Sequence, residues 1–317
     1  MVTKRGGPEV LELRDEPAPQ PEAGQLLVEL EAIGVNYRDV YERDGTYDMT
    51  PPFLAGAEGA GTVAAVGGGV TELAPGDRVA FTAAPWSYAE QTVVDAAQAV
   101  PVPEGISTEI AAAALLQGMT AHYLATSTYP VQRGDNVLVH AAAGGVGLLL
   151  TQIVKLRGGR VIATTSTDEK AQLAREAGAD EVIGYDGFAE RVRELTGEGV
   201  AVVYDGVGRT TFDQSMASLR PRGYLVLYGQ ASGPVPPVDP SRLAAGGSLF
   251  LTRPMLSQYT ATRDELLQRA GDVFGWIRDG KLTVRIGSRY PLTEARRAQE
   301  DLMARKTTGK QLLLPRT

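Results

Sequence analysis

Cysteine is absent from the 317 residues, which excludes a disulfide framework, a thiol nucleophile, an iron–sulfur cluster and a Cys-ligated zinc. Histidine is nearly absent too. His122 and His140 are the only two, too few for a His-rich metal site, so metal catalysis would have to rest on carboxylates. No excess of positive charge exists: 31 Lys and Arg against 38 Asp and Glu leave a net charge of −7. Such a chain has no global field for phosphate backbones or anionic lipid, and no nucleic-acid partner is expected. Long apolar runs are also missing, since Ile110–Leu116 and Val146–Val154 fall short of the roughly 18 residues a membrane span needs. Lys4 and Arg5 are not followed by an apolar stretch of leader length. No membrane association is expected, and the sequence reads as a cytoplasmic protein.

What is present describes a loop-rich folded chain. Its length corresponds to two domains at about 150 residues each, and the 37 Gly and 19 Pro imply many turns between short elements. The first third is β-like: Gln25–Ala32 partly alternates apolar and polar residues, and turn clusters at Pro17–Pro21, Gly67–Gly69 and Pro75–Asp77 predict a barrel or sandwich of short strands. From about Tyr123 the rhythm becomes strand, glycine turn, helix. Strands are predicted at Val137–Ala142, Val161–Thr165, Glu181–Ile183, Val200–Asp205 and Tyr224–Tyr228, with helices at Asp168–Ala177 and Phe188–Leu195. That alternation predicts a parallel, doubly wound sheet. A proline-rich loop at Gly233–Pro240 leads to a strand at Ser248–Thr252 and a helix at Arg263–Arg278, and Leu282–Pro315 is predicted to rejoin the β-rich part.

The strongest local motif is His140-Ala141-Ala142-Ala143-Gly144-Gly145-Val146-Gly147, between a strand and the apolar helix Leu148–Leu156. It reads as a dinucleotide fingerprint, AxGxxG from Ala142. Gly144 permits close approach of a pyrophosphate and Gly147 close helix-to-strand packing. An ordinary glycine-rich strand-to-helix turn is the alternative. The tip of the second strand decides between cofactors: Thr164, Thr165, Ser166 and Thr167, with Lys170 behind, offer hydroxyls and an ammonium to a 2′-phosphate, where an NADH enzyme usually places a carboxylate. NADPH is the expected cofactor, although the same residues also read as a helix cap with a solvated lysine.

Together with this turn, Gly6–Leu11 (GGPEVL), Gly34–Asp39 (GVNYRD), Gly56–Gly61 (GAEGAG), Val203–Gly208 (VYDGVG) and Thr252–Pro254 (TRP) resemble the medium-chain dehydrogenase/reductase superfamily. Within it they resemble the zinc-free NADPH:quinone oxidoreductases related to ζ-crystallin. The resemblance spans nearly the whole chain and implies an α/β architecture with a Rossmann doubly wound parallel sheet domain and a GroES-like β-barrel domain. It divides the chain at 1–122 with 258–317 (GroES-like, catalytic) and 123–257 (Rossmann, NADPH-binding), with NADPH in a cleft, and it implies a homodimer through edge pairing of Rossmann sheets. The chain before Gly6 is short relative to the family, so the first β-strand is expected to be missing or abbreviated.

Zinc alcohol dehydrogenases of the superfamily carry a ligand Cys where this chain has Asn36 and a ligand His where it has Ala57, and Glu58 alone remains of that segment. No metal is therefore expected, and Glu58 reads as a structural carboxylate. Hydride transfer to an electron-poor quinone or activated alkene needs no Lewis acid, only proximity and donors to the developing oxyanion. The segment carrying Asn36, Tyr37, Asp39, Tyr41, Arg43 and Tyr47 approaches the nicotinamide in the family, and the resemblance puts Asn36, Tyr41 and Tyr47 at the reacting end. It implies that Gly145 and Val146 contact the pyrophosphate and that Ser166, Lys170, Tyr185 and Arg305 form the 2′-phosphate pocket. Tyr123, Val207, Tyr228, Gly229, Gln230, Pro254, Met255 and Leu256 correspond to the nicotinamide wall, with Gln230 in place of an expected asparagine. His122 and His140 read as structural histidines. An enoyl-thioester or enone reductase and a non-catalytic NADPH-binding sensor are the rival readings.

Overall fold

The computed structural model describes residues 1–82 and 86–316. The chain forms two compact units: residues 1–117, 260–280 and 284–317 make the first, and 118–259 with 281–283 the second. In chain order the elements up to the boundary are β1 (Gln25–Val35), α1 (Tyr37–Asp44), β2 (Glu58–Val66), β3 (Arg78–Phe81), β4 (Gln91–Asp95), β5 (Val100–Pro101) and α2 (Thr108–Tyr123). Next come β6 (Asn136–Val139), α3 (Gly145–Leu156), β7 (Arg160–Thr164), α4 (Asp168–Glu176), β8 (Glu181–Ile183), α5 (Phe188–Thr196) and β9 (Val200–Asp205). They are followed by α6 (Phe212–Ala217), β10 (Leu219–Leu227), α7 (Ser241–Ala245), β11 (Phe250–Thr252) and α8 (Leu256–Tyr259). The chain closes with α9 (Arg263–Arg278), β12 (Ile286–Pro291), α10 (Ala295–Met303) and β13 (Lys310–Leu314).

The first unit is built on a seven-stranded sheet of order β12-β13-β1-β2-β3-β5, with β4 also paired to β1. Its core collects Val28, Leu30, Ile33, Val63, Phe81 and Leu313 from alternating positions of these strands. The predicted return of the C-terminal segment is realised by β13, which pairs antiparallel with β1 through Gly34↔Leu312 and Val35↔Gln311. Before β1 the chain holds on by isolated bridges of Val2 to Phe53 and Leu11 rather than by a strand, yet Val2 is fully buried.

The second unit is a six-stranded parallel sheet of order β11-β10-β9-β6-β7-β8. Counted from β6, this is the 3-2-1-4-5-6 arrangement of a doubly wound fold, whose ligands lie beyond the carboxyl ends of the strands where the order reverses. All six residues of β9 are buried, as a parallel strand covered on both faces requires. Several boundaries differ from expectation, among them β7 at Arg160–Thr164 and β11 at Phe250–Thr252, and two of them have a backbone cause. Strand β6 stops at Val139 rather than Ala142, because Ala141 adopts a left-handed conformation with φ of 49°. Strand β10 begins at Leu219 rather than Tyr224, its register to β9 broken between those residues, where Arg222 has a φ of 61°. Among the described residues no helix is long and apolar enough to cross a membrane.

Candidate active site

At the carboxyl end of β6 the chain turns sharply into α3. Gly144 is the N-cap, and its N–H donates to the Ala141 carbonyl at 2.9 Å. Ala141 in turn donates its own N–H to the Tyr185 hydroxyl at 3.0 Å, so both polar groups of this left-handed residue are engaged. A Cβ on Gly147 would lie 2.4 Å from the Ala141 carbonyl oxygen and 2.7 Å from Ala142 Cα, so only glycine lets the helix pack this close to the strand. The first-turn N–H groups of α3, from Gly145 onward, have no intrahelical acceptors and form a natural anion cradle. A dinucleotide pyrophosphate fits this donor set.

At the tip of β7, Thr164 and Thr165 are buried while Ser166 is exposed. Thr167 caps α4 by accepting the Lys170 N–H at 3.3 Å. The cap reading therefore holds for Thr167, while Ser166 and Lys170 share the same turn. Tyr185 accepts through its oxygen from Ala141, an arrangement that leaves its hydroxyl proton able to donate elsewhere. Arg305 belongs to the first unit, just after α10, with a φ of 57°.

The tips of β9 and β10 are laced together. Buried Asp205 accepts the N–H groups of Val207 and Gly208 at 2.8 and 2.9 Å, and its backbone carbonyl accepts from Tyr228 at 2.9 Å. A Cβ on Gly229 would stand 2.6 Å from the Gly206 carbonyl, so the two turns are in direct backbone contact. Ala231 closes the arrangement by donating to Gly206 at 3.2 Å, next to Gln230. Tyr123 is buried and stacked on Tyr259, with centroids 4.3 Å apart and an interplanar angle of 10°. Beyond β11, Pro254 is buried, Met255 is exposed and Leu256 opens α8. Of the two histidines, His122 is buried on α2, where its carbonyl accepts the Thr126 hydroxyl at 2.7 Å. His140 is buried between two hydroxyls.

In the first unit, helix α1 follows β1 because Asn36 ends the strand and the Asp39 carboxylate caps the Asn36 N–H at 2.8 Å. Gly45, at a φ of 88°, stops the helix. One turn apart, Tyr37 and Tyr41 have ring centroids 5.9 Å apart, and Tyr47 folds back so that its ring lies 5.3 Å from Tyr41 and its N–H donates to the Tyr41 carbonyl at 2.8 Å. Tyr41 is buried and Tyr47 half-buried, giving a short aromatic ladder with hydroxyl tips. Beneath it, burial raises the Asp39 carboxyl to about 7 against the pull of its Asn36 and Tyr88 hydrogen bonds. Arg43 is wholly buried, and burial lowers its guanidinium below the usual range.

The Asn36 amide is saturated. Its Nδ2 donates to the Gly34 carbonyl at 3.1 Å and to Glu58 Oε2 at 3.0 Å, and its Oδ1 accepts from the Gln117 amide and, at 2.9 Å, from Lys310 Nζ. Lys310 also bonds Glu58 Oε2 at 2.5 Å, and Glu58 Oε1 accepts the Leu116 N–H at 2.7 Å. Burial lowers the Lys310 ammonium from its ordinary range, and Glu58 opposes that shift. These residues do not fit zinc: the positions that would supply its ligands hold a carboxamide, a methyl group and a carboxylate bonded to an ammonium. Among the described residues no group of three His, Cys, Asp or Glu could hold a metal ion. Lys310 and Gln117 were not visible as site residues in the sequence. The only hint was a lysine opening the apolar strand Lys310–Leu314.

Residues 145–269 match the zinc-binding dehydrogenase family and residues 22–125 the alcohol dehydrogenase GroES-like domain. The chain is 45% identical to a quinone oxidoreductase of Pseudomonas aeruginosa, over 98% of this chain and 97% of that one. It superposes on a mycobacterial protein solved in complex with NADPH with a TM-score of 0.97 at 55% identity, covering 99% of this chain and 98% of that one. An Escherichia coli quinone oxidoreductase complexed with NADPH gives 0.95 at 41% identity with the same coverage.

Proposed function

The chain belongs to the quinone oxidoreductase family of medium-chain dehydrogenases/reductases, and from that premise we propose that it reduces quinones with NADPH, by hydride transfer and without zinc. The observation that carries the reading is the Lys310–Glu58–Asn36 cluster. A resident ammonium takes the charge at the place where an alcohol dehydrogenase needs a Lewis acid, so the chemistry must suit an acceptor that is already electron-poor.

Bound NADPH supplies the hydride. Gly144, Gly145, Val146 and Gly147 receive its pyrophosphate through backbone N–H groups and a close glycine approach. Ser166, Lys170, Tyr185 and Arg305 hold the 2′-phosphate, since hydroxyls and cations pair with a dianion. Tyr123, Val207, the Tyr228–Gln230 turn and Pro254–Leu256 wall the nicotinamide, a role supported by the lacing of the Val207 and Tyr228 turns through Asp205. Tyr41 and Tyr47 flank the flat acceptor, and their hydroxyls donate to the oxygen that gains charge. Asn36 forms the base of that pocket, its amide held by four protein hydrogen bonds. In this assignment residues 123–257 bind the cofactor, and 1–122 with 258–317 carry the catalytic part. The protein acts as a homodimer joined along β11, a reading supported by that strand's edge position and by Phe250, 48% exposed on it.

The test is a steady-state assay of the purified, chelator-treated protein, following NADPH and NADH oxidation with 1,4-benzoquinone, 9,10-phenanthrenequinone and crotonyl-CoA in parallel. Quinone-dependent NADPH oxidation that survives chelation supports the reading. Turnover with crotonyl-CoA alone replaces it by an enoyl reductase, and tight NADPH binding without turnover replaces it by a sensor.

A further inference from the structure

The backbone ladder of β6 to its two neighbours ends at the last residue of that strand. The last paired residue of β6 is Val139, opposite Ala163 of β7 and Tyr204 of β9. Beyond it only single bonds continue, His140 N–H to the Tyr204 carbonyl at 3.1 Å and Ala142 N–H to the Thr164 carbonyl at 3.2 Å. Side chains take over there. His140 Nδ1 lies 2.8 Å from Thr164 Oγ1 at the tip of β7, and Nε2 lies 2.9 Å from Ser215 Oγ on α6. Ser215 Oγ is 2.9 Å from Asp205 Oδ2 at the tip of β9, which also accepts the Thr211 hydroxyl at 2.7 Å. The other Asp205 oxygen holds the N–H groups of Val207 and Gly208. His140, Ser215 and Asp205 are each completely buried, as is Thr164.

The direction of this chain follows from donor and acceptor counting. An ionised Asp205 only accepts, so the Ser215 proton points to it. The Ser215 oxygen then accepts from His140 Nε2–H, Nδ1 is left as an acceptor, and Thr164 donates to it. Complete burial disfavours the charged ring and lowers its pKa, so the imidazole is neutral and this order of donors leaves it in one tautomer. Its ring is fixed as well, edge-on to Phe188 at 4.8 Å and stacked near Tyr185 at 6.0 Å. Every link runs the same way, which is the arrangement in which buried hydrogen bonds reinforce one another.

We propose that His140 is a positioning residue for the cofactor: as the middle link of a one-way hydrogen-bond chain from Thr164 to Asp205, it holds the tips of β6, β7 and β9 at the spacing that a dinucleotide spans. The tip of β7 opens the Ser166–Lys170 turn, and the tip of β9 opens the Val207–Gly208 turn. Those turns are assigned to opposite ends of NADPH in the reading above, on which this proposal rests. The four linked side chains are fully buried, and in this role they act by fixing the separation of two subsites, each of which is built locally.

That role predicts a pattern that mere loss of stability does not. Dissociation constants are measured by calorimetry for NADPH, and by saturation-transfer NMR for 2′,5′-ADP and the reduced nicotinamide mononucleotide, which probe the two ends separately. In His140→Phe, which keeps the ring and removes both hydrogen bonds, NADPH is expected to bind about tenfold more weakly while each fragment stays within about twofold of the parent protein. Thr164→Val, which deletes only the terminal link, should show the same pattern more weakly and serves if His140→Phe fails to fold. Parallel weakening of NADPH and both fragments, or no change in any, overturns the proposal. A second readout needs no cofactor. With two histidines in the chain, 15N-histidine NMR resolves both rings, and the His140 ring is expected as the neutral Nε2–H tautomer between pH 6 and pH 8, whereas an imidazolium or an Nδ1–H tautomer overturns the chain. Failure of the unmutated protein to bind NADPH strikes the functional reading instead, and leaves the tautomer result to decide the geometry.

Discussion

Lys310 and Glu58 are 252 residues apart in sequence and 2.5 Å apart in space, with side chains 2% and 0% exposed. The pair exists because β13 and β2 flank β1 on opposite sides at Gly34, which is Cα-paired to both Leu312 and Glu58. A Cβ at Gly34 would lie 2.3 Å from Glu58 Oε2 and 2.7 Å from Lys310 Nζ, so the glycine makes room for the ion pair.

Removing the ammonium should be costly and reparable. Lys310→Met strands a buried carboxylate and is expected to destabilise the protein by about 3–5 kcal/mol, whereas Lys310→Met combined with Glu58→Gln leaves no unpaired charge and should recover most of that loss. Urea unfolding of the three proteins at pH 7 measures it. Equal stability of the single and double variants would show that the pair carries no charge balance.

Asp39 should make stability depend on pH. Its ordinary carboxyl value of 3.8 is raised to about 7 in the fold by burial, so the native state holds a proton that the unfolded state has released between those values. The stability this contributes is fully present below about pH 4 and is lost as pH rises through about 7. Asp39→Asn, which mimics the neutral acid, should flatten the fall in unfolding free energy between pH 5 and pH 8, by up to about 3 kcal/mol. Identical slopes for the two proteins would contradict the raised value.

Lys170→Ala should separate the two nicotinamide cofactors. Loss of a cationic partner for the 2′-phosphate is expected to weaken NADPH by about tenfold and to leave NADH within about twofold. Calorimetric titration with both cofactors reads the ratio, and an equal loss for each would remove Lys170 from the phosphate pocket.

Gly147→Ala should damage the turn itself. The added methyl group would meet the Ala141 carbonyl oxygen at 2.4 Å, so either α3 or the turn must shift. Overpacking of this kind costs about 1–3 kcal/mol, and NADPH affinity should fall with the thermal midpoint. Unchanged affinity would mean that the turn does not hold the pyrophosphate.

Several elements were legible without coordinates. Strands Glu181–Ile183 and Val200–Asp205 and helix Arg263–Arg278 lie where the residue pattern put them, because buried parallel strands read as short apolar runs and helices as 3.6-residue periodicity. The glycine turn was legible too, since Gly144 and Gly147 answer a local steric demand. Strand β10 was legible only in part, because Arg222 and Gly223 look like the end of an element when they are a break within one.

The sequence by itself determined which chemistry was available: no thiol, two histidines, a glycine turn before a helix and hydroxyls at the next strand tip. All of these are properties of composition or of neighbours along the chain. Only the tertiary structure decided what Lys310 and His140 do. A lysine opening an apolar strand reads as its solvated end until sheet pairing carries it to Glu58. A histidine after a strand has no assigned tautomer until Thr164 and Ser215, 24 and 75 residues away, close on its two nitrogens. Charge pairing and proton direction are set by three-dimensional neighbours, and distant segments become neighbours only when the strands that carry them are paired.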